Sequence, residues 1–370
     1  MNPVWPLVDQ ALSAYRDSPR LPHLRARLAR LEGPLRIAVT GAPESGRTTL
    51  LAAVVGEPVP GGRIAVEWPG GAELVEFTDG DPSDVDAVVH LLPHPGALPD
   101  TDPVSTVVAL SRADELGGGR TDALTSARRV ARRHASAELG ERCQDVVAVA
   151  GLAGLGGALL TRAEVAELVG LAGLPQSDLA SMLLSADRFT AHPGADELVG
   201  RLGLFGVRLA VELVRRGFGD SLGAELVHAS GIADLREAIT RNLVERAQVL
   251  RVRSALLAIG SALREDPRPA LAAEVERALV STHETRELRL LSALRLGRVS
   301  LGEADREARQ LLGERGTAPN TRLALSGEPY ETFLRWRAHA EDGAFDHRQR
   351  QAAAVVVRTC EALVSAGHVR

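Results

Sequence analysis

Apolar positions repeat along this chain in two different rhythms. At the start, Val8, Leu12 and Tyr15 share one helical face, and Leu24, Leu28 and Leu31 share another, so residues 1–33 read as two short helices. Ser18, Pro19 and Pro22 punctuate the join, and Gly33-Pro34 end the pattern. From Leu35 to about Ala150 the rhythm changes to short Val-rich runs separated by turns: LRIAVT, AELVEF, DAVVHLL, PVSTVVAL and DVVAVA. A helical segment, TDALTSARRVARRHASAEL, precedes the last run. Buried apolar strands alternating with helices predict a mostly parallel sheet covered on both faces.

Beyond about residue 158 the helical rhythm dominates. Val249, Val252, Leu256, Ile259 and Leu263 form one stripe, and Leu202, Phe205, Leu209 and Leu213 another. A last helix is expected from near Asp346, a good N-cap, to Gly367, a good C′ residue. The GLGG run at 154–157 reads as a flexible exit from the sheet. The predicted architecture is helices over 1–33, an α/β domain over 34–157, and a helical region over 158–370.

Composition narrows the function classes. Hydrophobic residues make up 45% and charged residues 25%, a globular rather than a disordered balance. A net charge of −5 argues against nucleic acid as a general partner, which wants a basic field. Aromatic residues are only 3%, too few for base-stacking platforms. With Cys143 and Cys360 alone, neither a disulfide framework nor a cysteine metal site is expected, which fits a cytoplasmic setting. No secretory signal opens the chain. Charges such as Arg208 and Glu212 interrupt the longest apolar stretches every few residues, so no spanning helix of about 20 residues is expected, although peripheral membrane contact stays open. All 43 basic residues are Arg; with the abundance of Ala, Gly and Leu, this suggests a GC-rich coding sequence.

The candidate chemistry begins at IAVT-GAPESGRTT-LLAAVV. Gly41, Gly46 and Thr48 keep the spacing of a phosphate-binding loop, after a predicted strand and before a predicted helix. Glycines let backbone N–H groups curl around phosphate oxygens, and the helix N-terminus adds its positive dipole end. Gly41, Ser45, Gly46, Arg47, Thr48 and Thr49 are therefore the candidate phosphate-contacting set, with the Thr48 hydroxyl as the Mg²⁺ ligand. Arg47 stands where the motif asks for Lys. Its planar fork is wider than an ammonium and cannot sit between β- and γ-phosphates in the same geometry. The bland alternative is a Gly-rich turn that binds nothing.

Some seventy residues beyond the phosphate loop, VVALSRADELGGG places Ser111, Arg112 and Asp114 after another Val-rich strand. SRAD resembles the [NT]-K-x-D motif of GTPases, in which the Asp accepts from guanine; an Asp capping the following turn would explain it equally well. The order of these motifs, followed by helices that include LVGRLGLFGVRLAVELV, resembles the small dynamin-like GTPases of actinobacteria, a family that includes the isoniazid-inducible proteins. The resemblance implies a GTPase head that takes GTP or GDP with Mg²⁺, and a neck bundle built from the N-terminal helix, the helix after the head and the last helix. The remaining helices would form a trunk that contacts membrane or a partner, either a dynamin-like paralogue or further copies of the chain.

Measured against that family, working parts are missing. Leu50 to Phe77 contains no Thr or Ser to serve as the switch threonine. The D-x-x-G motif is absent, with Asp79 in VEFTDGDP as its only remnant, and the water-orienting Gln is replaced by Pro43. Hydrolysis in this class is positioning and electrostatics, and one lost donor commonly costs about 3 kcal/mol, roughly a hundredfold in rate. The expectation is therefore a pseudo-GTPase with no catalytic residue to name. A working GTPase helped by a partner and an ATP-binding protein of another family are the alternatives. His90 and His94 flank Pro93 and show no metal-ligand pairing, and no nucleophile elbow is present. RRGFGDSLG, with Arg215, Arg216 and Phe218, reads as a solvated turn whose Phe tucks back, with a lipid-touching tip as the alternative.

Overall fold

The computed structural model describes residues 4–61, 65–77, 84–139, 141–190, 192 and 194–367. Two short helices, α1 (Trp5–Ala14) and α2 (Leu21–Leu28), lead into a domain that begins with β1 (Leu35–Gly41) and α3 (Arg47–Val55). There follow β2 (Ala65–Trp68), β3 (Ala72–Glu76), β4 (Ala87–Leu92), β5 (Thr106–Leu110), α4 (Ala123–Ala137) and β6 (Asp145–Ala148). The helical remainder comprises α5 (Gly151–Ala158), α6 (Arg162–Ala172), α7 (Gln176–Met182), α8 (Ala186–Phe189), α9 (Ala195–Arg215), α10 (Leu222–Ala229) and α11 (Ile232–Asn242). It continues through α12 (Ala247–Glu265), α13 (Pro269–Ser281), α14 (His283–Arg295), α15 (Asp305–Leu311), α16 (Pro319–Arg322), α17 (Pro329–Glu341) and α18 (His347–Gly367).

The sheet runs β2-β3-β1-β4-β5-β6, parallel throughout except for β2, which pairs antiparallel with β3. The α/β class with a helical region is thus as the sequence predicts. All five Val-rich runs are strands. The sixth, β2, is a short and largely exposed edge strand. Ile37, Val39, Leu74, Val89, Val107 and Ala109 form one sheet face, packed against Leu50 and Leu51 of α3 and Ile232, Leu235 and Ile239 of α11. On the other face, Val108 and Leu110 pack against Leu124, Ala127 and Ala131 of α4.

The connections near β1 are lean. Residues 93–105, which link β4 to β5, contain no helix, although a parallel crossover usually carries one. Around them the sheet is covered by Phe77, Val85 and Val88 and by contacts from α12. Arg253 of α12 pairs with Asp102, with Nη2 donating to Oδ1 at 2.8 Å.

One expectation fails. The GLGG run is no flexible exit but part of α5, with Gly154, Gly156 and Gly157 buried in a helical junction. A Cβ at Gly154 would lie 2.4 Å from Ile232 Cγ1, at Gly156 2.6 Å from the Arg201 carbonyl oxygen, and at Gly157 2.7 Å from Leu226 Cβ. The glycines are there because neighbouring chain segments approach α5 too closely for any side chain.

The N-terminal helices pack on α12 and α13 through Val8, Tyr15, Leu24, Leu256, Ile259 and Leu271. Arg30 also reaches Asp86 at the foot of β4, at 2.8 Å. The last helix belongs to a different cluster, where Val356 and Cys360 meet Leu291 and Leu294 of α14 and Trp336 of α17. Its start is as predicted: Asp346 Oδ1 accepts from the Gln349 amide and the Gln349 side chain returns to the Asp346 amide, both at 2.8 Å.

Candidate functional site

β1 lies between β3 and β4, so the strand order reverses at its carboxyl end. In open α/β sheets that is where a ligand crevice forms. The turn from Gly41 to Gly46 sits at this point, joining β1 to α3. Gly41 is required by crowding, since a Cβ there would stand 2.6 Å from Ser45 Oγ and 3.0 Å from the Leu91 carbonyl oxygen. Gly46 is required by conformation, with φ +88°, and a Cβ there would meet nothing within 4 Å. Glu44 holds φ +61°, a left-handed setting that costs a non-glycine residue about 1–2 kcal/mol.

The first amide of α3 to find a helical acceptor is that of Leu50, which bonds the Gly46 carbonyl at 2.8 Å. Among the described residues the N–H groups of Gly46, Arg47, Thr48 and Thr49 have no acceptor, as a helix N-terminus leaves them. Pro43 has none to offer.

Side chains of the loop mostly satisfy one another. Arg47 donates to the Gly41 carbonyl at 2.8 Å and to the Phe77 carbonyl at 3.5 Å, and its Nε stands 3.9 Å from Glu76 Oε1. The Thr48 hydroxyl donates to Glu76 Oε1 at 2.8 Å. Two buried atoms are left without partners, Ser45 Oγ and Glu76 Oε2. The Thr49 side chain faces Gly151 at the start of α5 and makes no hydrogen bond among the described residues.

Glu76 is the residue that sequence reading missed. It ends β3, is 3% exposed, and faces the loop beside Val39, its register partner on β1. An acidic residue directly after the apolar pair Leu74-Val75, at the end of a strand, was the available signal. Asp79 itself lies outside the described residues.

The second motif is fastened to the first. Ser111 Oγ donates to the Ser45 carbonyl at 2.9 Å, and Arg112 Nη2 donates to the Glu44 carbonyl at 3.1 Å. Arg112 also pairs with Glu115 at 3.1 Å. Ser111 and Arg112, far from the phosphate-loop turn in sequence, are thus adjacent to it in space. Asp114 opens the following turn. Burial pushes its carboxyl above the ordinary value, with Glu115 adding to the rise and Arg112 opposing it. No side chain donates to that carboxylate among the described residues.

The remaining candidates stand apart. His90 Nδ1 lies 2.9 Å from the Thr40 hydroxyl on the neighbouring strand, and burial lowers its pKa. Arg215 is tied to the Ala172 and Leu174 carbonyls, Phe218 packs on the core, and Arg216 lies over the Phe218 ring at 5.5 Å. The Phe thus tucks back, as the sequence reading favours. Among the described residues no helix is long and apolar enough to cross a membrane, and no group of three or more His, Cys, Asp or Glu is placed to hold a metal ion.

Fold and turn together define an α/β protein with a strand–loop–helix of phosphate-loop spacing at the switch point of its sheet. Among known proteins, the chain is similar to the isoniazid-induced protein IniC of Mycobacterium tuberculosis, in strains CDC 1551 / Oshkosh and ATCC 25618 / H37Rv. Each is 29% identical over 484 aligned residues, covering 97% of this chain and 97% of the relative. That stretch exceeds the 370 residues here, so the relative carries segments without a counterpart in this chain. No family model matches the chain, and no solved structure does.

Proposed function

We propose that the protein is a degenerate dynamin-like GTPase: a head that binds guanine nucleotide weakly or not at all, with hydrolysis near background. It would serve as a structural partner of a related dynamin-like protein or of further copies of itself, in membrane remodelling or cell division. The similarity to IniC and the spacing of the two motifs support the family. The observation that carries the loss of activity is the placement of Arg47. Its guanidinium is engaged by the Gly41 carbonyl beside Glu76, so a phosphate must displace contacts that the protein makes with itself. The switch threonine has no substitute, because the sequence from Leu50 to Phe77 contains no Ser or Thr.

A titration with GTP and Mg²⁺, repeated with ATP and followed by a turnover assay, tests this. Turnover well above that of Arg47→Ala would overturn the reading, and preference for ATP would move the protein to another family.

One observation favours the alternative of a functional GTP-binding protein. The Thr48–Glu76 pair, with Glu76 Oε2 and Ser45 Oγ lacking partners, fits a loop that accepts Mg²⁺ and phosphate. Thr48 and Glu76 would hold the ion, which would supply neutralising charge to the phosphates. On this alternative, Asp114→Asn and Arg47→Ala must each weaken GTP binding; unchanged affinity in either sinks it.

A further inference from the structure

A second cationic site lies far from the phosphate loop in sequence, where the sheet domain meets the C-terminal helices. A cavity of about 590 Å³ opens between the end of α4, the lead-in to β6, α14 and the start of α18. Four arginines line it, Arg286, Arg289, Arg298 and Arg348, against a single acid, Glu141. The chain as a whole is net acidic at −5, so this concentration of positive charge runs against its composition.

The arginines are not consumed by structure. Among the described residues Arg289 and Arg348 make no hydrogen bond or ion pair, and both are exposed. Arg286 spends one donor on the Val280 carbonyl at 3.2 Å. Arg298 is half-buried: its Nη2 donates to Ser292 Oγ at 2.9 Å, while Nε and Nη1 are shielded from water without partners. Ser292 in turn donates to the Cys143 carbonyl at 3.0 Å, which fixes the Arg298 fork against the wall. Like charges gathered in a concave, partly apolar wall focus a positive potential and raise the local concentration of anions. Guanidinium forks are suited to phosphate oxygens in particular.

We propose that this cavity binds a ligand bearing more than one phosphate group, either a free polyphosphate or the headgroup of a phosphorylated lipid. Its role is binding: burial pushes the Cys143 thiol up to about 12, so that thiol stays protonated at neutral pH. The inference rests on none of the phosphate-loop residues.

The test uses the full chain and inorganic pyrophosphate as probe, by calorimetry, on the wild type, on the double variant R289A/R348A and on R47A. The expected result is at least a tenfold weaker affinity in R289A/R348A and little change in R47A. Both mutated arginines at the cavity are exposed and unpaired, so the fold should survive, and circular dichroism checks this. Loss confined to R47A, equal affinity in R289A/R348A and wild type, or no binding by wild type would overturn the proposal. Sedimentation with phosphatidylcholine vesicles containing phosphatidylinositol 4,5-bisphosphate separates the two sources. Binding to vesicles that pyrophosphate displaces assigns a lipid headgroup, and binding of pyrophosphate alone assigns a soluble ligand.

Discussion

Asp114 illustrates how a single side chain ties stability to recognition. Burial disfavours its charged form, so the folded state holds this proton to higher pH than the unfolded chain does. In the window between the ordinary and the raised value the native state binds more protons, and stability therefore falls as pH rises through it. At neutral pH the buried charge is a cost. Asp114→Asn should raise the melting temperature at pH 7, with the gain vanishing at acid pH, while abolishing any preference for GTP over ATP. A melting temperature that falls at pH 7 would sink the account. Thr48 makes the opposite case. Thr48→Ala removes the hydrogen-bond donor to Glu76 Oε1 and leaves the buried carboxylate with only the Arg47 guanidinium nearby, which should destabilise the protein by about 1–3 kcal/mol. Thr48→Ser keeps the hydroxyl and should recover most of that in urea melts.

Among elements, glycine position decides the sign of a substitution. Gly156→Ala would place a methyl 2.6 Å from the Arg201 carbonyl oxygen, and it should destabilise the protein by about 1–3 kcal/mol despite the better helix propensity of Ala. Gly200, inside α9, has nothing within 4 Å of its would-be Cβ, so Gly200→Ala should stabilise by about 0.5–1 kcal/mol. Chemical denaturation of the pair checks both, and equal signs would refute the packing argument. The same glycines show what could be read from sequence. The Val-rich strands and the stripes of α9 and α12 were legible because burial on a sheet or one helix face imposes a period. The GLGG run carries no period, since its residues are chosen by a close approach of α9, α10 and α11 from elsewhere in the chain. β2 was illegible for a related reason: an exposed edge strand of four residues, Ala65–Trp68, needs no apolar run. At the site, the turn and its link to Ser111 and Arg112 followed from spacing, whereas Glu76 required knowing which end of β3 faces Thr48.

Over the whole molecule, α14 is the hinge of the packing argument. It sends Leu288 into the cluster beneath the sheet and Leu290, Leu291 and Leu294 into the C-terminal cluster with Trp336, Val356 and Cys360. These two cores are therefore coupled through neighbouring turns of one helix, and the arginine-lined cavity lies along the same junction. Trp336 is fully buried in the C-terminal cluster. Trp336→Ala should cost about 3–5 kcal/mol through the cavity it leaves. If the cores are separable cooperative units, the loss will be local, because proteins open in parts according to their own packing. Hydrogen exchange should then show lost protection in α15, α17 and α18, with amides of β1, β4 and β5 keeping theirs and α14 intermediate. Equal loss of protection in the central strands would mean that α14 transmits the damage in full and that the chain unfolds as one unit. In that event a ligand in the arginine cavity would stabilise the sheet as strongly as the C-terminal helices, whereas with separable cores it would chiefly tighten their joint.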